Sequence, residues 1–219
     1  MTLECARIHP QCVASIMLVA PAGVGRKPHI MMRLPAVPYL GEFLTKPDRK
    51  GIERLWRLAV ADPSLITKAF VETKFQFASA PGALAAFLKT LRGFGTFSGF
   101  PPEQTAALAR DMKAMNQPTL VVWGRRDKFL SCAHADILRA NLPNVRVEIF
   151  ENCGHIPQFE RPQVFNETVT GFLAERNGRV FDDATSPIAN IALDERPLPF
   201  VDPADRSRCS HNQMAFRRR

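Results

Sequence analysis

Two residues of this 219-residue chain combine types and spacing that suit proton transfer. Asp127 comes shortly after the apolar run 119–123, and His155 comes shortly after a second apolar run, 145–150. Such runs predict buried strands, and the carboxyl ends of neighbouring parallel strands meet at one edge of a sheet, where ligands bind. A carboxylate beside an imidazole fixes its tautomer and stabilises the imidazolium that forms when the ring takes up a proton. We therefore predict that Asp127 and His155 form an acid–base pair.

The segments around this pair predict the elements that must position it. A further apolar strand is predicted over 15–20, after a helix over 2–8. Helices are also predicted over 131–140 and from Pro162 onwards. Strands that alternate with helices are typical of a parallel α/β sheet, and α/β is the fold class that we predict.

A long helical block, rich in Phe and Met, lies between the first two predicted strands. Amphipathic helices are predicted over 52–61, from Asp62-Pro63 onwards, over 84–91 and over 102–115. Residues 26–50 contain four prolines and show no clear period. Because the block interrupts strand-forming sequence on both sides, we predict an inserted cap over about 26–116. Its apolar residues are expected to form mainly a core, and some of them to line a pocket for an apolar substrate.

Composition and charge exclude several classes of protein. Apolar residues make up 46 % of the chain and charged residues 23 %, as in soluble globular domains. No apolar run reaches the roughly 18 residues of a transmembrane helix, and Glu4 and His9-Pro10 contradict a signal peptide at the N-terminus. The net charge of +8 is spread along the chain, with a basic run only at Arg217–Arg219. We therefore predict no nucleic-acid partner and no membrane partner.

The cysteines and the C-terminal segment add two further predictions. The number of cysteines is odd, and the sequence contains no Cys-x-x-Cys pair and no cluster of His and Cys. We therefore predict reduced thiols in a cytoplasmic protein, without a metal and without a cofactor. From about Arg176 the apolar period ends and prolines interrupt a polar stretch, which predicts a mostly disordered tail over 176–219. The folded domain is accordingly expected over 1–175.

Taken together, these segments resemble the α/β-hydrolase family. The resemblance rests on His9–Val13, Leu18–Gly23, Pro118–Asp127, Cys153–His155 and the helix end at Phe172-Leu173. It implies a partial α/β-hydrolase fold, which consists of the last three parallel strands with a helical cap insertion. It also implies that Asp127 is the acid and His155 the base of the catalytic triad of a hydrolase with a small-molecule substrate.

Within the family, the cap is similar to that of the meta-cleavage-product hydrolases, which cut a C–C bond in ring-fission products of aromatic compounds. The similar run begins with Asp62–Thr67. Those enzymes usually have Arg-Trp in the next cap helix and Trp after the catalytic histidine. This chain has Lys74-Phe75 and Ile156 there, so these three are the candidate substrate-binding residues, although Lys lacks the bidentate fork of Arg. An esterase and a C–C hydrolase both stay open, and so does an oligomer.

The third member of the triad is missing from the sequence. The nucleophile of the family is a Ser in a Gly-x-Ser-x-Gly elbow, and no such motif occurs in the 219 residues. Because Met1–Ile8 is similar to the helix after the elbow, we expect a truncated chain that lacks about 100 residues, among them the oxyanion hole. Such a chain is expected to be inactive, and poorly soluble because strand 15–20 exposes an apolar edge. The alternative is a non-catalytic remnant that binds a small molecule or a protein partner through the cap.

Overall fold

The computed structural model describes residues 1–177, and the tail predicted over 176–219 lies outside the described residues from position 178 onwards. The described strands are β1 (Ile16–Val19), β2 (Thr119–Gly124) and β3 (Val145–Phe150). The described α-helices are α1 (Thr2–Ile8), α2 (Ile30–Arg33), α3 (Leu40–Leu44), α4 (Arg49–Ala59), α5 (Lys68–Ser79), α6 (Ala83–Phe94), α7 (Pro102–Met112), α8 (Ala135–Asn141), α9 (Pro157–Glu160) and α10 (Pro162–Asn177). None of these helices has the length and hydropathy needed to cross a bilayer.

The three strands form one parallel sheet in the order β1-β2-β3. Leu18 of β1 lies opposite Val121 of β2, and Val121 lies opposite Val147 of β3. The central strand, β2, is buried along its whole length, as is typical of a parallel strand covered on both faces. The predicted arrangement of neighbouring parallel strands is thereby confirmed.

Successive residues of β2 point to opposite faces of the sheet and enter two separate apolar clusters. On one face, Val121 and Trp123 join the main core, which also contains residues of β1, α1, α7 and α8. On the other face, Leu120 and Val122 pack in a smaller cluster with Phe172 of α10. Packing on both faces therefore fixes the strand whose carboxyl end precedes Asp127.

Side-chain caps set the starts of several helices and correct the predicted boundaries. Asp48 caps α4, which begins at Arg49, three residues before its predicted start at 52. Residues 63–65 form a 3-10 turn instead of the predicted α-helical start, and α5 begins only after Thr67, which caps its first turn. Ser131 is a cap as predicted, but it caps a 3-10 turn over 132–134 that precedes α8. The predicted α-helical starts at 63 and 131 are therefore wrong, because in both places the first turn is tighter than an α-helix.

Helices α2 to α7 follow one another between β1 and β2, in the segment predicted to be a cap. α4 and α5 pack through an edge-to-face contact of Trp56 and Phe70, whose ring centroids are 5.1 Å apart. Arg92 of α6 donates hydrogen bonds to both carboxylate oxygens of Glu42 on α3, at 2.7 and 2.9 Å. Residues 26–50, for which the sequence predicts no helix, thus contain α2 and α3, and tertiary contacts rather than periodicity hold α3 in place.

β1 and β3 are the two edge strands of the described sheet, and no other strand within residues 1–177 pairs with the outer side of β1. Met17, in the middle of β1, is 42 % exposed. Unpaired N–H and C=O groups beside apolar side chains favour pairing with another chain. This open edge is the feature on which the prediction of poor solubility depends.

Candidate active site

Asp127 and His155 meet at the carboxyl ends of β2 and β3. Asp127 lies in the turn after β2, His155 lies in the loop after β3, and Nδ1 of His155 is 2.8 Å from Oδ2 of Asp127. The Asp127 side chain is fully buried, whereas the His155 side chain is 24 % exposed. A buried carboxylate therefore orients an imidazole that keeps part of its surface accessible.

Three further donors surround the Asp127 carboxylate. Oδ1 accepts hydrogen bonds from Phe129 N at 2.8 Å and Leu130 N at 2.9 Å, and Oδ2 accepts one from Nε1 of Trp123 at 3.0 Å. Amide and indole N–H groups donate and do not accept, so Asp127 is an acceptor on every side. Nδ1 of His155 therefore carries the hydrogen of its bond to Asp127, and Nε2 is the basic nitrogen. No motif in the sequence pointed to this role of the Trp123 indole.

Two glycines allow neighbouring segments to pass close to His155. A Cβ atom on Gly124, the last residue of β2, would collide with the backbone carbonyls of Cys153 and Gly154. A Cβ atom on Gly154 would collide with the carbonyl of Ala59 at the end of α4. A larger residue at either position would push β2, the His155 loop and α4 apart.

A carboxylate that the sequence analysis did not single out holds the loop of His155. Glu160 accepts hydrogen bonds from the backbone N–H groups of Gly154 at 2.9 Å, Ile156 at 3.2 Å and Ala61 at 2.6 Å. The first two donors flank His155 in the chain. The only local signal for Glu160 was an acidic residue shortly after a loop histidine, because its partner Ala61 is 99 positions away in the sequence.

Two apolar side chains lie beside His155. Phe129 meets its imidazole edge to face, with ring centroids 5.3 Å apart. Ile156, a predicted substrate-binding residue, follows His155 and packs partly buried against the main core. The Phe129 ring limits the rotation of the imidazole.

The other two predicted substrate-binding residues lie on α5 and contact side chains of the cap. Nζ of Lys74 is 4.9 Å from the ring centroid of Trp56 and 5.2 Å from that of Phe70. The ring of Phe75 lies under the guanidinium group of Arg49, 3.8 Å away. Both positions are half-buried. That Lys74 and Phe75 bind a substrate stays a prediction.

Cys153 lies two positions before His155, and its surroundings keep it a neutral thiol. Burial raises the pKa of the Cys153 thiol to about 12, and the negative charge of Glu160 adds to the rise. The nucleophilic form of cysteine is the thiolate, so Cys153 supplies no nucleophile at neutral pH. Within residues 1–177, no three His, Cys, Asp or Glu side chains are grouped so as to hold a metal ion.

Comparison with known proteins assigns this geometry to a family. The sequence pattern of the "Alpha/beta hydrolase family" matches residues 2–168, which include Asp127, His155 and all three strands. The chain belongs to the α/β-hydrolase family. The family and the partial α/β-hydrolase fold predicted from the sequence are thereby confirmed.

Curated relatives of this α/β-hydrolase chain include two hydrolases of dienoate compounds. The chain is 27 % identical over 173 residues to the 2-hydroxy-6-oxononadienedioate/2-hydroxy-6-oxononatrienedioate hydrolase of Comamonas testosteroni. It is 25 % identical over 173 residues to the 2-hydroxy-6-oxo-6-phenylhexa-2,4-dienoate hydrolase of Burkholderia cepacia. Each match covers 78 % of this chain and 58 % of the relative, so the chain spans less than two thirds of either relative.

Solved structures of other α/β-hydrolases resemble the chain in fold. A meta-cleavage product hydrolase from Pseudomonas fluorescens superposes with a TM-score of 0.63 at 22 % identity, over 79 % of this chain and 60 % of that chain. A bacterial membrane phospholipase A superposes with a TM-score of 0.63 at 23 % identity, over 81 % and 54 %. Because the two proteins are named for different reactions, these likenesses show the fold alone.

Proposed function

We propose that Asp127 and His155 are the acid and the base of an α/β-hydrolase active site. The observation that carries this proposal is the 2.8 Å hydrogen bond between Nδ1 of His155 and Oδ2 of Asp127. In this role Nε2 of His155 takes the proton of an attacking hydroxyl group and later gives it to the leaving group. Asp127 stabilises the imidazolium that forms between these two steps, and its burial strengthens the attraction.

The nucleophile and the oxyanion hole are the parts of this mechanism for which no residue can be named. The 219 residues contain no Gly-x-Ser-x-Gly motif, and burial keeps Cys153 neutral. We propose that these residues contribute two members of a triad and carry out no serine-hydrolase turnover by themselves. Their residual activity is the action of His155 as a general base on water, which is far weaker than nucleophilic catalysis.

The proposed substrate is a small apolar molecule that is cut at a carboxylic ester or at a C–C bond. The relatives from Comamonas testosteroni and Burkholderia cepacia, which are named as hydrolases of 2-hydroxy-6-oxo compounds, support C–C cleavage. The half-buried ammonium group of Lys74, which lies over two aromatic rings, suits the carboxylate of such a compound. Lys74-Phe75 and Ile156 differ from the usual residues of those enzymes, and this difference keeps an ester in the proposal.

Binding without catalysis, through the cap, is a second candidate function. An open cavity of about 860 Å³ lies among α3, α5 and α6, and its size suits a small molecule. Leu84 and Leu88 give its lining an apolar face, and Lys89 and Arg92 also line it, of which Arg92 is paired with Glu42. A chain with this function would bind its ligand equally well after the loss of His155.

A fluorophosphonate probe tests the proposal that the chain lacks an activated serine. We expect no labelled serine after incubation of the purified 219-residue chain with the probe, as measured by mass spectrometry. Covalent labelling of any serine would contradict the proposal, because this reagent reacts with serines that a triad activates.

Hydrolysis of a p-nitrophenyl ester tests the roles of Asp127 and His155. We expect His155→Ala to reduce the slow hydrolysis by the chain to the rate of the buffer, and Asp127→Asn to reduce it as well. His9→Ala is the matched control, because His9 is an exposed imidazole outside the site. Equal losses from His9→Ala and His155→Ala would mean that any imidazole of the chain hydrolyses the ester, without a specific site.

Equilibrium dialysis tests the second candidate function, which is binding without catalysis. It measures whether the His155→Ala chain binds 2-hydroxy-6-oxo-6-phenylhexa-2,4-dienoate through the cap.

A further inference from the structure

Three consecutive backbone N–H groups around His155 are bonded to groups outside their loop. Gly154 N donates to both oxygens of the Glu160 carboxylate at 2.9 Å, and Ile156 N donates to Oε1 at 3.2 Å. His155 N donates to the carbonyl oxygen of Ala59 at 2.7 Å. The backbone on both sides of the imidazole is thus fixed by a single side chain and a single carbonyl.

The same carboxylate also reaches the end of cap helix α4. Oε2 of Glu160 accepts a hydrogen bond from Ala61 N at 2.6 Å, two positions after the carbonyl of Ala59 that binds His155 N. Gly154 lies so close to the Ala59 carbonyl that it has no room for a Cβ atom. Residues 59–61 and the His155 loop are therefore joined by one direct hydrogen bond and by the Glu160 carboxylate, which accepts from both segments, and they pack without a gap.

We propose that Glu160 is a positioning residue, which holds His155 against Asp127 and couples this position to the end of α4. Its carboxylate fixes the peptide N–H groups before and after His155, so only the side-chain torsions of His155 are left to vary. Phe129 limits these torsions from one side, and the 2.8 Å bond to Asp127 then forms without a search over backbone conformations. The proposal deepens the proposed function and rests on it in one respect, namely that His155 is the base.

Two substitutions of Glu160 distinguish the effect of its negative charge from the effect of its side-chain length. Glu160→Gln keeps the shape of the side chain but turns an NH₂ group towards N–H donors, so it cannot accept all the bonds that the carboxylate accepts. Glu160→Asp keeps the charge but is one methylene shorter, so it cannot span from Gly154 to Ala61. Glu167→Gln is the matched control, because Glu167 is an exposed carboxylate on α10.

Nuclear magnetic resonance of the full chain, labelled with ¹⁵N-histidine, tests the proposal. The Nδ1–H signal of His155, identified by its loss in His155→Gln, reports the hydrogen bond to Asp127. We expect this signal to be lost or broadened in Glu160→Gln, weakened in Glu160→Asp and unchanged in Glu167→Gln. A folded Glu160→Gln chain that keeps the signal of the unsubstituted chain would overturn the proposal, since a purely structural role lowers stability without changing the imidazole.

Amide hydrogen exchange of the unsubstituted chain decides the matter if Glu160→Gln does not fold. The N–H groups of Ala61, Gly154 and Ile156 all donate to the carboxylate of Glu160, so their hydrogen bonds should break in one opening event. We therefore expect their protection factors to agree within about threefold. Protection factors that differ by more than this would overturn the proposal. Neither measurement needs turnover, so a failure of the proposed hydrolase activity is seen separately in the ester assay.

Discussion

A carboxylate as deeply buried as that of Asp127 pays for the loss of its hydration through four N–H groups. Phe129 and Leu130 donate to one oxygen, and Trp123 and His155 donate to the other. Hydrogen bonds to a charged acceptor are stronger than those between neutral groups, and they compensate for burial only when every donor is in place. Asp127 therefore stabilises the fold as well as orienting the imidazole.

The Asp127→Asn substitution should lower the free energy of unfolding by about 2–4 kcal/mol. The amide retains one acceptor oxygen, and its NH₂ group faces N–H groups that also donate. Urea denaturation followed by tryptophan fluorescence measures the change. Asp136→Asn, in which an exposed carboxylate beside Arg139 loses its charge, should change the same quantity by less than about 1 kcal/mol. Losses of equal size in the two variants would contradict this account.

Cys153 should resist alkylation in the native chain, whereas the exposed Cys5 and Cys12 should react. Burial raises the pKa of the Cys153 thiol from 9.0 to about 12, so the folded chain holds this proton more tightly than the unfolded chain does. The contribution of the protonated Cys153 thiol to the free energy of unfolding is therefore complete below about pH 9. It is lost as the pH rises from there towards 12. Mass spectrometry after treatment with iodoacetamide at pH 8 measures the reactivity. Alkylation of Cys153 as fast as that of Cys5 would contradict the prediction.

At the scale of elements, the site depends on how closely β2, the His155 loop and α4 approach one another. Gly124 and Gly154 lie at the two closest approaches of these segments, where the neighbouring backbone leaves no room for a Cβ atom. Asp127 and His155 belong to different strand–loop units, so their 2.8 Å contact follows from this approach and not from local sequence. The addition of one methyl group at the end of β2 should therefore disturb the contact of Asp127 and His155 without touching either side chain.

Gly124→Ala should destabilise the chain by about 1–3 kcal/mol, because the added methyl group meets the carbonyls of Cys153 and Gly154. Gly171→Ala is the matched control: Gly171 lies on α10, and no atom is near the position of its Cβ. This second substitution should stabilise the chain by about 0.5–1 kcal/mol, as expected for alanine in a helix. Thermal unfolding measures both values, and shifts of the same sign would contradict the geometry of β2 and the His155 loop.

The sequence predicted the elements better than the contacts between them. Apolar runs located all three strands, and their parallel order brought Asp127 and His155 to one edge, so the pair itself was predictable. Glu160 was not predictable, since its bond to Ala61 joins segments 99 positions apart. The start of α5 was misjudged because Asp62-Pro63 also fits a 3-10 turn, and only the contacts of the folded chain distinguish the two.

At the scale of the whole molecule, the sheet is asymmetric. Within the described residues both β1 and β3 lack a strand on their outer side, but β3 pairs with β2 along six residues and carries Arg146 and Glu148, whereas β1 pairs with β2 along four. The edge is short but apolar, and no charged side chain of β1 protects it. We expect the chain to self-associate in solution through this strand.

Met17→Lys should reduce that self-association, because a charge on an edge strand opposes pairing with a second edge. Light scattering of the purified chain over a concentration series measures the average mass. Phe77→Lys is the control, since it places a lysine on another exposed apolar position, which lies on α5 and not on a sheet edge. A decrease in mass of equal size in both variants would mean that general solubility, and not the edge of β1, controls association.

The indole of Trp123 can serve as a fluorescent reporter of the Asp127 carboxylate. Its N–H group binds the carboxylate of Asp127 and the carbonyl of Leu130, and the ring is completely shielded from water. The chain has two tryptophans, so Trp56→Phe leaves Trp123 as the one tryptophan, whose emission can be excited separately from that of Tyr39. Its emission then depends on the carboxylate 3.0 Å away, so a substitution that moves Asp127 or alters its bond to His155 shifts the emission wavelength of the intact protein.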